Sequence, residues 1–157
     1  EPNIDRIIET IDRAKALNPD IIIALPQWGS VEYQRVPTEY VQNLSSLLAD
    51  NGVDIILGDH PHWIQSLEWK SKSNSINNLK YVPVVYSVGN FVFDQMWSEE
   101  TRVGMTVHLI IYEKKVISLS TDFHLLNLYS TGTIDPILHE NPLFEKYINL
   151  INSNSDL

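Results

Sequence analysis

Asp54-Ile55-Ile56-Leu57-Gly58-Asp59-His60-Pro61-His62 is the stretch that decides the fold. After Asp54, Ile55-Ile56-Leu57 is a short apolar run with two β-branched isoleucines, the pattern of a strand covered on both faces in a parallel sheet. A glycine, a carboxylate and two imidazoles follow at once, on a turn stiffened by Pro61. In an open α/β sheet, ligands bind beyond the carboxyl ends of the strands, so these side chains stand where chemistry is expected. Histidine is a common ligand for zinc, iron or manganese ions. The plain alternative is a pair of surface histidines in a turn.

Upstream the pattern repeats. Ile4, Ile7, Ile8, Ile11 and Ala14 recur at helical spacing and predict a helix over 4–17, ended by Asn18-Pro19-Asp20. Ile21-Ile22-Ile23-Ala24-Leu25 predicts a second buried strand. Thr38 is the expected N-cap of a helix whose apolar stripe is Val41, Leu44, Leu47 and Leu48, with Gly52 as the residue after its end. Helix, strand, helix, strand in this order implies parallel strands joined by crossovers.

Downstream the character changes. Ile64 to Trp69 predicts a strand, 71–78 a polar hairpin loop, and Tyr81 to Val88 a strong strand with Pro83 near its start or at an edge. Met105 to Tyr112 and Val116 to Phe123 alternate around Glu113-Lys114-Lys115, which predicts a hairpin. Pro142 to Ile151 predicts a short helix, and 152–157 a frayed end. The expected fold class is α/β, with parallel βα units followed by antiparallel strands, and residues 1–157 read as a single domain.

Composition narrows the function. The 157 residues carry 11 Lys plus Arg against 20 Asp plus Glu, a net charge of −9. That excludes a nucleic-acid backbone binder, which needs a basic patch, and a basic membrane-surface module. There is no cysteine, hence no disulfide scaffold, thiolate zinc site or cysteine nucleophile. No apolar run approaches the roughly 20 residues that cross a bilayer. The chain opens on Glu1 rather than Met, so it reads as a processed product or part of something longer.

Two further segments follow strands. Gln27-Trp28-Gly29, with Glu32 and Tyr33 close behind, should lie near the His60–His62 loop. Trp28 packing the sheet edge beside a solvated Gln27 is the simpler account of that segment. Gly89-Asn90 ends the Tyr81 to Val88 strand, where Asn90 either anchors a turn or reaches a cleft. His108, His124 and His139 each stand alone and read as structural. There is no G-x-S-x-G elbow, phosphate-binding loop or dinucleotide fingerprint.

Taken together, Leu25-Pro26-Gln27-Trp28-Gly29-Ser30-Val31-Glu32-Tyr33, Gly58-Asp59-His60-Pro61-His62 and Tyr86-Ser87-Val88-Gly89-Asn90-Phe91 resemble a known family. It is the bacterial capsule-synthesis family of CapA type, associated with poly-gamma-glutamate capsules and placed in the calcineurin-like metallophosphatase superfamily. Its segments read H-W-G-x-E-Y, G-H-H-P-H and Y-S-L-G-N-F, and the similarity runs from about Asp20 to Phe93. The resemblance implies the carboxyl-terminal half of an α/β/β/α sandwich, completed by an amino-terminal half that carries further ligands. It implies two divalent metal ions (Mn, Zn or Fe) with His60 and His62 as ligands, Gln27 at a position that is histidine in the family, and Asp59 as a catalytic base or ligand. Trp28, Glu32 and Asn90 are the expected substrate contacts. The implied substrate is a phosphoester or an anionic capsule polymer, and the implied setting is a membrane-associated capsule-synthesis complex at the cell surface. Gln27 departs from the pattern, since an amide oxygen is a weaker ligand than imidazole for borderline metals. A non-catalytic protein that assists export or anchoring of the polymer is the competing expectation.

Overall fold

A computed structural model describes residues 3–72, 81–127 and 132–153. The first helix, α1 (Ile4–Ala16), is capped by Asn3, whose side chain accepts from the Arg6 amide at 3.1 Å. Strand β1 (Ile23–Ala24) leads to α2 (Glu39–Asp50), capped by Thr38 as its sequence demands, and then to β2 (Ile55–Leu57). After these come β3 (Leu67–Ser71) and β4 (Tyr81–Val85), a one-turn helix α3 (Glu99–Arg102), a long hairpin of β5 (Val103–Tyr112) and β6 (Lys115–Leu126), β7 (Ile134–Pro136), and α4 (Pro142–Ile151).

The first sheet has the order β1-β2-β4-β3, with β1, β2 and β4 parallel and β3 antiparallel to β4. The second sheet is β5-β6-β7, antiparallel throughout. The alternation of β4 divides the interior. Val82, Val84 and Tyr86 pack with Ile11, Val41, Leu44 and Leu48 of the two helices on one face. Val85 turns to the other face, against Ile64, Leu67, Val103, Met105 and Phe123, where Tyr147 and Ile151 of α4 join the same core. Mixed parallel and antiparallel sheets with helices make this the α/β class that the sequence indicates, and the arrangement is consistent with the carboxyl-terminal half of a larger α/β domain.

Local differences from expectation have local causes. β1 is two residues long, not five, and it is not covered on both faces. The Ile22 amide bonds the Asp54 carboxylate at 2.9 Å, while the Ile22 carbonyl takes the Asp54 and Ile55 amides, so the regular ladder starts only at Ile23. β1 is also the edge strand. Ile22 and Ala24 pack on the helices, but Ile23 and Leu25 point away from them and are 43% and 74% exposed. The strand expected from Ile64 starts at Leu67, with Ile64 kept in a single bridge to Val88. Pro83 lies in an interior strand. It is tolerated because pairing with β2 begins only at Val84. The hairpin turn has positive φ at both Glu113 and Lys114, the geometry whose twist matches that of the strands. α3 and β7 were not foreshadowed in the sequence. The polar loop expected over 71–78 lies, from residue 73 on, outside the described residues, as does 154–157 of the expected frayed end.

Candidate functional site

The parallel strands β1, β2 and β4 end on the same rim, and main-chain bonds tie their following loops together. The Gly58 amide donates to the Val85 carbonyl at 2.7 Å, the Asp59 amide to Pro26 at 3.0 Å, and the Trp28 amide to Asp59 at 3.1 Å. The His62 amide donates to the Glu32 carbonyl at 2.7 Å. The Ser87 hydroxyl donates to the Pro61 carbonyl at 2.6 Å, which seats the His60–His62 turn on the end of β4. Gly58 is required by space. A Cβ there would stand 2.3 Å from the Tyr86 carbonyl oxygen and 2.4 Å from Trp28 Nε1. Trp28 is 4% exposed and its Nε1 donates to that carbonyl at 2.9 Å. The indole therefore belongs to the core and pins the first loop beneath the second.

The imidazole of His62 sits on this frame among aromatic rings. Tyr33 stacks on it with centroids 5.5 Å apart, and Phe93 lies at 5.1 Å. Trp97 meets the other ring, Tyr33, edge-on at 4.9 Å. His62 Nδ1 is 2.8 Å from Asn90 Oδ1. The Asn90 amide nitrogen donates to the Thr101 carbonyl at 2.8 Å and to Gln95 Oε1 at 3.3 Å. Gln95 Nε2 donates to the Tyr33 hydroxyl at 2.9 Å. Burial of the Tyr33 phenol and then the neighbouring Glu32 carboxylate hold its pKa above the ordinary tyrosine range, with the Gln95 bond acting the other way. His60 takes a positive φ of 98°, and its ring centroid is 6.5 Å from that of His62.

Of the residues singled out in the sequence, His60, His62, Asp59 and Gln27 share the rim. Gln27 and Asp59 are exposed, face each other in a single parallel bridge, and line a cavity of about 490 Å³ with Leu57 and Val88. Glu32 is exposed and contributes its carbonyl to the His62 backbone. Asn90 is only 8% exposed and its amide is committed to protein partners. Among the described residues, no three His, Cys, Asp or Glu side chains stand close enough to hold a metal ion. The donors present on the rim, two imidazoles beside a carboxylate and an amide, suit a divalent ion in kind. Among the described residues they do not by themselves make a complete ligand set.

Gln95, Thr101 and Phe93 complete the His62 environment and carried no sequence signal of their own. His124 is buried, with Nε2 3.3 Å from the Asn90 carbonyl. His108 pairs with Asp122 at 2.8 Å on the exposed hairpin, and His139 packs on Phe144. A second cluster lies behind the rim: Arg35 stacks over Trp63 and Tyr147 at 5.2 and 5.3 Å and meets Glu100 at 3.4 Å, clamping the first loop to α3 and α4.

Residues 2–95 match the family described as bacterial capsule synthesis protein PGA_cap. The chain is 35% identical over 99 residues to the capsule biosynthesis protein CapA of Bacillus anthracis, an alignment covering 61% of this chain and 22% of that protein. It is also 35% identical over 91 residues to the PGA biosynthesis protein CapA of Bacillus subtilis (strain 168), covering 58% of this chain and 21% of that protein. The chain thus spans about a fifth of the length of these relatives. The family match begins earlier than the motifs alone indicated, at the start of α1, and it includes Gln27, Asp59, His60, His62 and Asn90.

Proposed function

This chain belongs to the PGA_cap family of bacterial capsule synthesis proteins, and on that footing we propose that it serves in the biosynthesis of an anionic capsule polymer of poly-gamma-glutamate type. Its strand-end rim contributes to a metal-dependent hydrolytic site of metallophosphatase kind. The observation that carries the site reading is the His62 imidazole. It is held through Nδ1 by Asn90 and flanked by His60 at the carboxyl ends of the parallel strands. No group among the described residues bonds its Nε2. His60 and His62 would be ligands, and Asp59 a ligand or base on the opposite side of the rim. The remaining ligands would come from outside the described residues. When bound, one or two divalent ions would polarise a phosphoester or amide substrate and supply a hydroxide near neutral pH.

Metal content of the intact protein, measured before and after chelation, tests this reading. Bound Mn, Zn or Fe that disappears in a His60→Ala/His62→Ala variant is the expected result. An intact protein that stays metal-free under Mn²⁺- or Zn²⁺-replete conditions would overturn it.

The incomplete ligand set and the amide at Gln27 favour a second reading, in which the same rim binds the polymer without cleaving it during export or anchoring. With a charge of −9, cations would have to bridge protein and polyanion. Binding that persists in chelator would count against that version, and cleavage of the polymer against the non-catalytic reading altogether. Both readings place the protein at the cell envelope. No helix among the described residues is long and apolar enough to cross a membrane.

A further inference from the structure

Four side chains at the rim close a circuit. Tyr33 stacks on His62, His62 meets Asn90, Asn90 donates to Gln95, and Gln95 donates to Tyr33. The circuit decides which nitrogen of His62 carries hydrogen. The Asn90 atom 2.8 Å from the Thr101 carbonyl must be the amide nitrogen, because a carbonyl oxygen only accepts. Its 3.3 Å contact with Gln95 Oε1 fits the same orientation. The other Asn90 amide atom is then oxygen, also acceptor-only, and it lies 2.8 Å from His62 Nδ1. Two acceptors at that distance would repel, so Nδ1 is the donor.

We infer that Asn90 is a positioning residue that fixes His62 as the Nδ1–H tautomer and so leaves Nε2 as the lone-pair atom, rather than a group that contacts substrate. The geometry is over-determined. Asn90 is 8% exposed, Thr101 is fully buried, and the Thr101 hydroxyl donates to the Gln95 carbonyl at 2.7 Å. The amide therefore cannot turn over without losing two donors and setting its nitrogen against a proton on Nδ1. Tyr33 and Phe93 restrict the tilt of the ring. A histidine that binds a cation through one ring nitrogen is commonly oriented by a hydrogen bond from the other. In that sense the inference deepens the metal-site reading and rests on it for its use, though not for its test.

The test is the tautomer of His62 in metal-free intact protein, read from long-range ¹H–¹⁵N correlations of ¹⁵N-labelled histidine rings at mildly alkaline pH. The His62 signals are identified by their loss in His62→Ala. Wild type should show hydrogen on Nδ1 and none on Nε2. Asn90→Asp keeps an acceptor facing Nδ1 and should retain this pattern. Asn90→Leu removes the acceptor and should shift His62 to the Nε2–H form or a mixture, with Mn²⁺ or Zn²⁺ affinity lower by roughly 10–100-fold, as for other lost orienting partners. An Nε2–H His62 in wild type would overturn the inference whether or not any variant folds, as would an unchanged tautomer in Asn90→Leu. A protein that shows Nδ1–H yet binds no metal would uphold the positioning role while removing the metal reading, so the two failures are distinguishable.

Discussion

Replacing Gly58 by alanine tests whether the loops of the rim are truly locked together. The added methyl would arrive 2.3 Å from the Tyr86 carbonyl oxygen and 2.4 Å from Trp28 Nε1. Those two atoms are each other's hydrogen-bond partners at 2.9 Å, so the methyl would be driven into a buried bond. Neither neighbour gives way cheaply, since one is main chain at the end of β4 and the other is an indole 4% exposed. Overpacking costs about 1–3 kcal/mol. Losing the indole–carbonyl bond costs about 1 kcal/mol, and more if either group stays buried without a partner. Against this, alanine lowers the entropy of the unfolded chain, which offsets about 0.4–1 kcal/mol. The net loss should be about 1–4 kcal/mol. At roughly 2–4 °C per kcal/mol for a domain of this size, the melting midpoint should fall by about 2–15 °C. Urea and thermal unfolding followed by circular dichroism measure the loss, and tryptophan fluorescence reports whether Trp28 has moved. A variant within about 0.5 kcal/mol of wild type, the scatter of an ordinary surface substitution, would refute the account of how the two loops are joined.

Two other expectations follow from buried charge. Asp54 and Lys72 are 3% and 5% exposed and meet at 2.7 Å, so Asp54→Ala should cost about 3–5 kcal/mol by stranding the ammonium. Pairing it with Lys72→Met should recover much of that loss, and a single-variant cost under about 1 kcal/mol by urea denaturation would show that the pair is not sealed from water. Burial holds the His124 pKa below its ordinary value, with the Asn90 carbonyl acting the other way. The unfolded chain therefore takes up this proton first. The stability present above the unfolded value of about 6.5 should decline as pH falls through it toward the folded pKa, and His124→Gln should flatten that part of the stability profile.

The frame of the site was legible because it is written in apolar periodicity. Ile55 and Ile56 are fully buried where the sequence put a covered strand, and the turn after them lands at the sheet rim as the parallel-strand argument requires. The same pattern misled at Ile21–Leu25, because an apolar run records affinity for a core and not which neighbours are present to provide one. At the edge of the sheet Leu25 is left 74% exposed. Packing is the simpler reading of Trp28 from its own segment, but what fixes it there is a carbonyl 58 residues away that the segment does not reveal. The partnership of His62 with Asn90 was equally invisible. It is set by where Thr101 and Gln95 stop the amide from turning, and contacts of that kind leave no periodic trace.

The rim that results is uneven, and this bears on what it can bind. On the His62 side Nδ1 is held by the buried Asn90 amide and the ring lies against Tyr33 and Phe93, so a cation arriving at Nε2 meets a ligand that needs little reordering. On the Gln27 and Asp59 side the backbone is pinned by the Pro26 and Asp59 carbonyls, but the side chains are exposed. Fixing a long polar side chain costs about 1.5–2 kcal/mol of rotamer freedom, a cost His62 has met in folding and Gln27 has not. Any cation that uses this rim should therefore anchor first at His62, with Gln27 and Asp59 adjusting around it.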